Sequence, residues 1–76
     1  MSITAFIMAL TREGKEYSVL KELRRMKKIS EAWLVYGEYD VVCRAVVKDL
    51  TELEKLVTEK IRNIPHITMT NTMINL

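Results

Sequence analysis

The sequence predicts a single α+β domain whose elements follow the order β-α-β-β-α-β. Two segments have the spacing of amphipathic helices, and each lies between stretches rich in β-branched and aromatic residues. A short glycine-containing link separates the two central stretches, as in a β-hairpin. No repeat or low-complexity linker interrupts the 76 residues, so we expect one domain, residues 1–76.

The first two elements are predicted to be a strand and a helix. Residues 3–10, ITAFIMAL, lack turn formers and read as a strand that is apolar on both faces. Residues 11–14, TREG, break that strand. Cations at the end of the following segment, residues 15–28, complement the dipole of a helix. The apolar stripe that predicts this helix consists of Val19, Leu20, Leu23 and Met26.

The next two elements are predicted to form a hairpin. Residues 29–36 and 39–47 are both rich in β-branched and aromatic residues, and only Gly37 and Glu38 separate them. Asp49 can then cap a second helix, with Glu52 three residues later completing a capping box. Pro65 ends this helix, and residues 66–76 form the last strand. The predicted buried stripe of the second helix is Leu50, Leu53, Val57, Ile61 and Ile64.

This order of elements predicts a ferredoxin-like fold, a four-stranded antiparallel sheet with two helices. Right-handed crossovers place both helices on one face, which leaves the other face without cover from its own chain. Thr4, Phe6, Met8 and Leu10 point to one side of the first strand, and neither side suits water. We therefore expect a second subunit to pack its sheet against this face in a twofold dimer.

The composition also favours self-association. A chain of this size buries only about 60% of its unfolded surface, so its own core is thin. One cysteine and one histidine exclude an internal disulfide and argue against a structural metal. The net charge of +2 is far from that of a nucleic-acid-binding protein, and no apolar run is long enough to span a membrane. We expect a cytoplasmic protein, in the absence of a signal peptide.

Residue inventory argues against an enzyme. The sequence has no glycine-rich phosphate loop, no metal-ligand cluster and no motif that implies a cofactor. Cys43 is flanked by apolar strand residues and is interpreted as a buried, unreactive thiol. His66 is interpreted as a solvated or backbone-bonded residue at a corner. The basic cluster Arg24, Arg25, Lys27 and Lys28 is interpreted as a solvated helix face.

The segment from Gly37 to Asp40, with the sequence GEYD, is the most informative for function. Unpaired loop amides and the carboxylate of Asp40 together suit a zwitterion, whose carboxylate the amides bind and whose ammonium Asp40 binds. The alternative is that Gly37 makes the hairpin turn and Asp40 caps it. The residues alone leave both interpretations open.

A family resemblance adds to this pattern. The segment VYGEYDVV at residues 35–42 and the threonine-rich final strand ITMTNTMINL at residues 67–76 resemble the regulatory domain of the Lrp/AsnC transcription regulators. The resemblance implies a sheet-to-sheet dimer, assembly of dimers into octamers, and an amino-acid effector bound between dimers. It makes Gly37, Tyr39 and Asp40 ligand-site candidates, with Thr68, Thr70 and Thr72 as weaker ones.

The resemblance departs from the family in one respect. Family regulators carry an N-terminal helix-turn-helix domain, whereas Met1 here leads directly into the first strand. We expect a free-standing domain that senses an amino acid, joins a full-length regulator, or does both, without binding DNA itself. Two alternatives are an ACT-like regulatory domain, which has the same element order, and a small ferredoxin-like dimeric enzyme. The turn TREG at residues 11–14 is a poor match to the glycine-rich turn of ACT domains.

Overall fold

A computed structural model describes residues 2–75 and contains the predicted fold. The elements are β1 (Ile3–Thr11), α1 (Glu16–Arg24), β2 (Ile29–Leu34), β3 (Val41–Val47), α2 (Leu50–Lys55), a π-helical segment (Leu56–Ile61) and β4 (Ile67–Asn75). The four strands form one antiparallel sheet in the order β2-β3-β1-β4. Leu76, predicted to end the last strand, and Met1 lie outside the described residues.

The core lies between the sheet and the helices. Alternate residues of β1 and β3 point into it, so Ala5, Ile7 and Cys43 are almost completely buried. Val19, Leu20 and Leu23 of α1 pack against them, which confirms the predicted stripe of that helix. On the second helical segment Leu53, Leu56, Ile61 and Ile64 complete the core.

Helix α1 ends earlier than predicted. α1 ends at Arg24, so Lys27 and Lys28 lie in the turn that follows it. Arg24 is also not simply solvated, since its Nε and Nη2 donate to the carbonyl of Ala32 at 3.3 and 2.9 Å. This contact occupies a carbonyl on the edge strand β2, a position where unpaired backbone groups invite strand addition.

The second helix begins with the predicted cap. The Asp49 carboxylate accepts the Glu52 N–H at 2.8 Å, and Glu52 accepts the N–H of Lys48 at 2.9 Å. The return bond therefore reaches one residue further back than in a standard capping box. The bond from the Lys48 N–H, together with Lys28 at 3.4 Å, lowers the pKa of the Glu52 carboxyl. Leu50 was wrongly assigned to the core, since it is 58% exposed at the first helical position.

Burial determines the chemistry of Cys43. The thiol is 1% exposed, and desolvation raises its pKa from 9.0 to about 11. The folded state therefore holds the thiol proton more strongly than the unfolded state. The resulting contribution to the free energy of unfolding is complete below pH 9 and is lost between pH 9 and about 11.

We expect Cys43→Ala to remove this alkaline loss of stability. The wild-type free energy of unfolding should fall by about 2–3 kcal/mol more than that of the variant between these pH values, since one pKa unit is worth about 1.4 kcal/mol. Urea titrations at a series of pH values measure the difference. Parallel pH profiles of the two proteins would contradict the assignment.

Candidate functional site

The loop between β2 and β3 is longer than predicted. The ladder ends at Leu34 and resumes at Val41, so residues 35–40 form the connection instead of Gly37 and Glu38 alone. The predicted strand residues Tyr36 and Tyr39 therefore lie in the loop. Gly37 has a φ of +150°, in the region that favours glycine, and no atom lies within 4 Å of where a Cβ would stand. The loop backbone at Gly37 is open to its surroundings.

Asp40 fastens this loop to the end of β1. Its backbone N–H donates to the carbonyl of Ala9 at 3.0 Å, and its carbonyl accepts the N–H of Val35 at 3.0 Å. The side-chain Oδ2 accepts the backbone N–H of Thr11 at 2.9 Å and lies 3.4 Å from the Thr11 hydroxyl. The Asp40 carboxylate thus fastens the loop to β1 and, among the described residues, does not cap the hairpin turn itself. The same carboxylate has further lone pairs that can accept a bond from an ammonium group.

Tyr39 connects the loop to β4, the strand at the opposite edge of the sheet from β2. Its hydroxyl accepts a hydrogen bond from Nδ2 of Asn71 on β4 at 3.0 Å. Asn71 pairs with Met8 of β1, on the face of the sheet opposite the helices. The loop therefore reaches from the start of β3 across β1 to β4.

A cavity of about 470 Å³ lies between this loop and the start of α1. We call it the loop cavity, and its size is within the range of small-ligand sites. Two carboxylates contribute to its wall, and the six described lining residues include no basic side chain. It is lined by Glu16, Tyr17, Leu34, Val35, Tyr36 and Asp40.

The loop cavity pairs negative charge with apolar surface. Glu16 and Asp40 supply the charge, while Tyr17 and Tyr36 are largely exposed beside them. A cation with an apolar body meets both features, since an ammonium binds carboxylates and aromatic faces attract cations. Glu16 and Tyr17 were not predicted as site residues. The one sequence feature that pointed to them was Tyr17, an aromatic residue outside the apolar stripe of α1.

The three candidate threonines do not all join this cavity. Thr70 and Thr72 pair with Ala9 and Ile7 of β1, so they lie on the helix side of the sheet. Thr68 lies at a register shift, where its hydroxyl donates to the carbonyl of Leu10 at 3.3 Å. Of the three, Thr70 lies nearest to the loop, because its cross-strand partner Ala9 also accepts the N–H of Asp40. None of the three lines the loop cavity.

The sheet face opposite the helices carries a largely apolar surface, which we call the open face. Along β1, Phe6 and Met8 are half-buried, and Met73 lies beside Phe6 on β4. Met69, Met73 and Trp33 are 55%, 56% and 37% exposed. Their neighbours on this face are Leu10, Val42, Arg44 and Val46.

Metal binding and membrane insertion also bear on function. Within residues 2–75 no group of three or more His, Cys, Asp or Glu side chains has the arrangement of a metal site. No helix in this part of the chain has the length and apolar character needed to cross a membrane.

The layered sheet and helices define a ferredoxin-like domain, and comparison with known proteins specifies which kind. The profile of the Lrp/AsnC ligand binding domain matches residues 4–76. The chain belongs to this family, which confirms the resemblance in the GEYD loop and final strand.

Curated relatives are named as transcription regulators. The uncharacterized HTH-type transcriptional regulator PH0140 of Pyrococcus horikoshii is 35% identical over 72 residues, which are 95% of this chain and 46% of that protein. The regulatory protein AsnC of Escherichia coli K12 is 27% identical over 73 residues, 95% of this chain and 48% of the relative. The chain thus spans about half the length of the curated relatives it matches.

Solved structures share the fold closely. The structure of FFRP-DM1 has a TM-score of 0.93 and 44% identity, and the match covers 97% of this chain and 99% of the other. The hypothetical protein PHS023 of Pyrococcus horikoshii has a TM-score of 0.91 and 44% identity, with coverage of 97% and 89%. A Neisseria meningitidis transcriptional regulator, crystallised with L-Met, shares the fold with a TM-score of 0.86 at 17% identity, covering 97% and 49%.

Proposed function

We propose that this chain is an amino-acid-sensing, oligomerising domain that modulates transcription regulators of the Lrp/AsnC type. The observation that carries the proposal is the loop cavity, in which two carboxylates adjoin apolar walls beneath an anchored glycine loop. The ammonium of an amino acid binds Asp40, loop amides near Gly37 bind its carboxylate, and Tyr17 and Leu34 contact its side chain. The relatives' names support the role in transcription regulation, and the L-Met complex of a protein with this fold supports the class of ligand.

Assembly is the second part of the proposal. Two copies pack their open faces together, which covers Met8, Trp33 and Met73. Contiguous apolar surface of this kind marks an interaction site. Dimers then associate further, up to an octamer, with Gly37, Tyr39 and Asp40 facing a neighbouring subunit. In that assembly Thr68 and Thr70 line the neighbouring part of the ligand site, whereas Thr72 lies in a separate groove between the second helical segment and β4.

A screen of the twenty amino acids by melting temperature tests the sensing role. An amino acid that binds the folded state stabilises it by about 2.7 kcal/mol at a hundredfold excess over its dissociation constant. We expect at least one amino acid to raise the melting temperature at millimolar concentration. A full-length regulator of the same family is the proposed partner, and copurification with it tests that association.

We do not expect the 76-residue chain to bind DNA on its own. Residues 2–75 form no helix-turn-helix motif, and the net charge of +2 supplies little attraction for phosphates. Electrophoretic mobility shift at physiological salt should show no sequence-specific complex. A complex with one promoter fragment that survives competitor DNA would contradict this expectation.

A further inference from the structure

A second cavity lies on the opposite part of the helical layer. It is about 350 Å³ in volume and runs between the second helical segment and the edge strand β4. We call it the helix–strand groove. It shares no lining residue with the loop cavity, and it lies on the helix side, away from the open face. The groove is lined by Leu50, Leu53, Glu54, Val57, Thr58, Arg62, Thr72 and Ile74.

The middle of the groove is apolar. Leu53 and Val57 form its helical wall, and Ile74 forms the wall on β4. Leu50 and Ile74 are 58% and 41% exposed, so apolar surface that the core does not cover faces the groove. Burying such surface under an aliphatic chain is favourable by about 25 cal/mol for each Å² removed from water.

Opposite charges stand along the helical wall. Glu54 and Arg62 are eight residues apart in the chain, which places them about two helical turns apart along the wall of the groove. Within residues 2–75 neither side chain belongs to an ion pair. The Thr58 hydroxyl lies between them and donates to the Glu54 carbonyl at 2.8 Å, which leaves its oxygen able to accept a bond.

The backbone near Arg62 is unusual. Its N–H donates to the carbonyl of Val57 at 2.9 Å, a bond across five residues that belongs to the π-helical segment. Such wide turns are rare in proteins, and many of those that do occur lie at functional sites. No residue pattern predicts this wide turn, since the stretch has the spacing of an ordinary helix.

We infer that the helix–strand groove binds a linear zwitterion whose carboxylate and ammonium are separated by an aliphatic chain. Arg62 binds the carboxylate, Glu54 binds the ammonium, and the chain between them lies against Val57 and Ile74. A linear chain between the two charged groups of the ligand matches the separation of Glu54 and Arg62 along the apolar wall. The ligand class is therefore that of ω-amino acids and of basic amino acids bound through the side-chain ammonium. This site is separate from the one in the proposed function.

Titration with 6-aminohexanoate, followed by amide chemical shifts of the intact chain, tests the inference. We expect shifts that saturate at Val57, Thr72 and Ile74, and similar shifts with L-lysine. Hexanoate and L-leucine should bind at least tenfold more weakly, because each lacks an ammonium at the far end of the chain and so loses a bond to a charged group.

Two charge-removing variants assign the roles. Glu54→Gln and Arg62→Gln should each weaken 6-aminohexanoate at least tenfold, while the matched exposed changes Glu59→Gln and Lys60→Gln should leave it unchanged. Asp40→Asn should also leave it unchanged, which separates this site from the loop cavity. The inference is overturned if 6-aminohexanoate shifts no groove residue at millimolar concentration, or if Asp40→Asn removes the response.

Discussion

Replacing Met8 with Asp is expected to convert the assembled protein into monomers at micromolar concentration. Met8 lies near the centre of the open face, where its cross-strand neighbours Val42 and Asn71 offer no positive charge. Each subunit of a face-to-face dimer would bury one unpaired carboxylate, at a cost of several kcal/mol per ion. Association should weaken on the order of a thousandfold or more. Sedimentation velocity measures the change.

The choice of Met8 over Phe6 follows from the sheet register. Phe6 pairs with Arg44, so a carboxylate at position 6 would gain a compensating guanidinium. Leu50→Asp is the matched control, because Leu50 is an exposed apolar residue on the helix side. That variant should sediment like the parent. Monomers from Leu50→Asp but not from Met8→Asp would place the interface on the helices, and a parent that is already monomeric would contradict the dimer itself.

Replacing Asp40 with Asn is expected to abolish most of the amino-acid response while keeping the loop folded. The amide oxygen of Asn can still accept the Thr11 N–H, which Asp40 accepts at 2.9 Å. The lost charge removes the partner of the ligand's ammonium. Hydrogen bonds to charged groups contribute about 1.5–3 kcal/mol, so the dissociation constant should rise about tenfold to a hundredfold. Calorimetric titration with an amino acid that stabilises the parent measures this.

Glu38→Gln is the matched control for this change. Glu38 belongs to the same loop, is exposed and does not line the loop cavity. Its removal deletes one negative charge without touching the proposed ammonium site. If Asp40→Asn responds to each amino acid as the parent does, Asp40 only holds the turn. If Glu38→Gln loses the response equally, the effect is one of overall loop charge.

The element order was predictable because each element carries its own local signal. Apolar spacing marks the stripe of α1, and Asp49 marks the start of α2. The exact ends were not predictable, because tertiary contacts set them. Tyr36 and Tyr39 have strand propensity, yet the loop is held open by the bonds of Asp40 to Ala9 and Val35. His66, treated as a simple corner residue, adopts a φ of 77°, and its carbonyl accepts the Arg12 N–H.

The candidate site was only partly predictable, because its members come from separate parts of the chain. The GEYD segment indicated Gly37 and Asp40, which do lie in one loop. Glu16 and Tyr17 join them only through the packing of α1 beside the hairpin. Alternation along β4 made its threonines look like one set, but the register directs Thr70 and Thr72 to the helix side. Local sequence carries no signal for contacts between distant segments of the same chain.

Sedimentation with and without a stabilising amino acid tests whether ligand binding and assembly are coupled. A ligand held between subunits binds the assembled form alone, so it shifts the association equilibrium by mass action. We expect an amino acid that raises the melting temperature also to raise the sedimentation coefficient, and Asp40→Asn to lose both effects. The contradicting result is that none of the twenty amino acids at millimolar concentration changes either quantity.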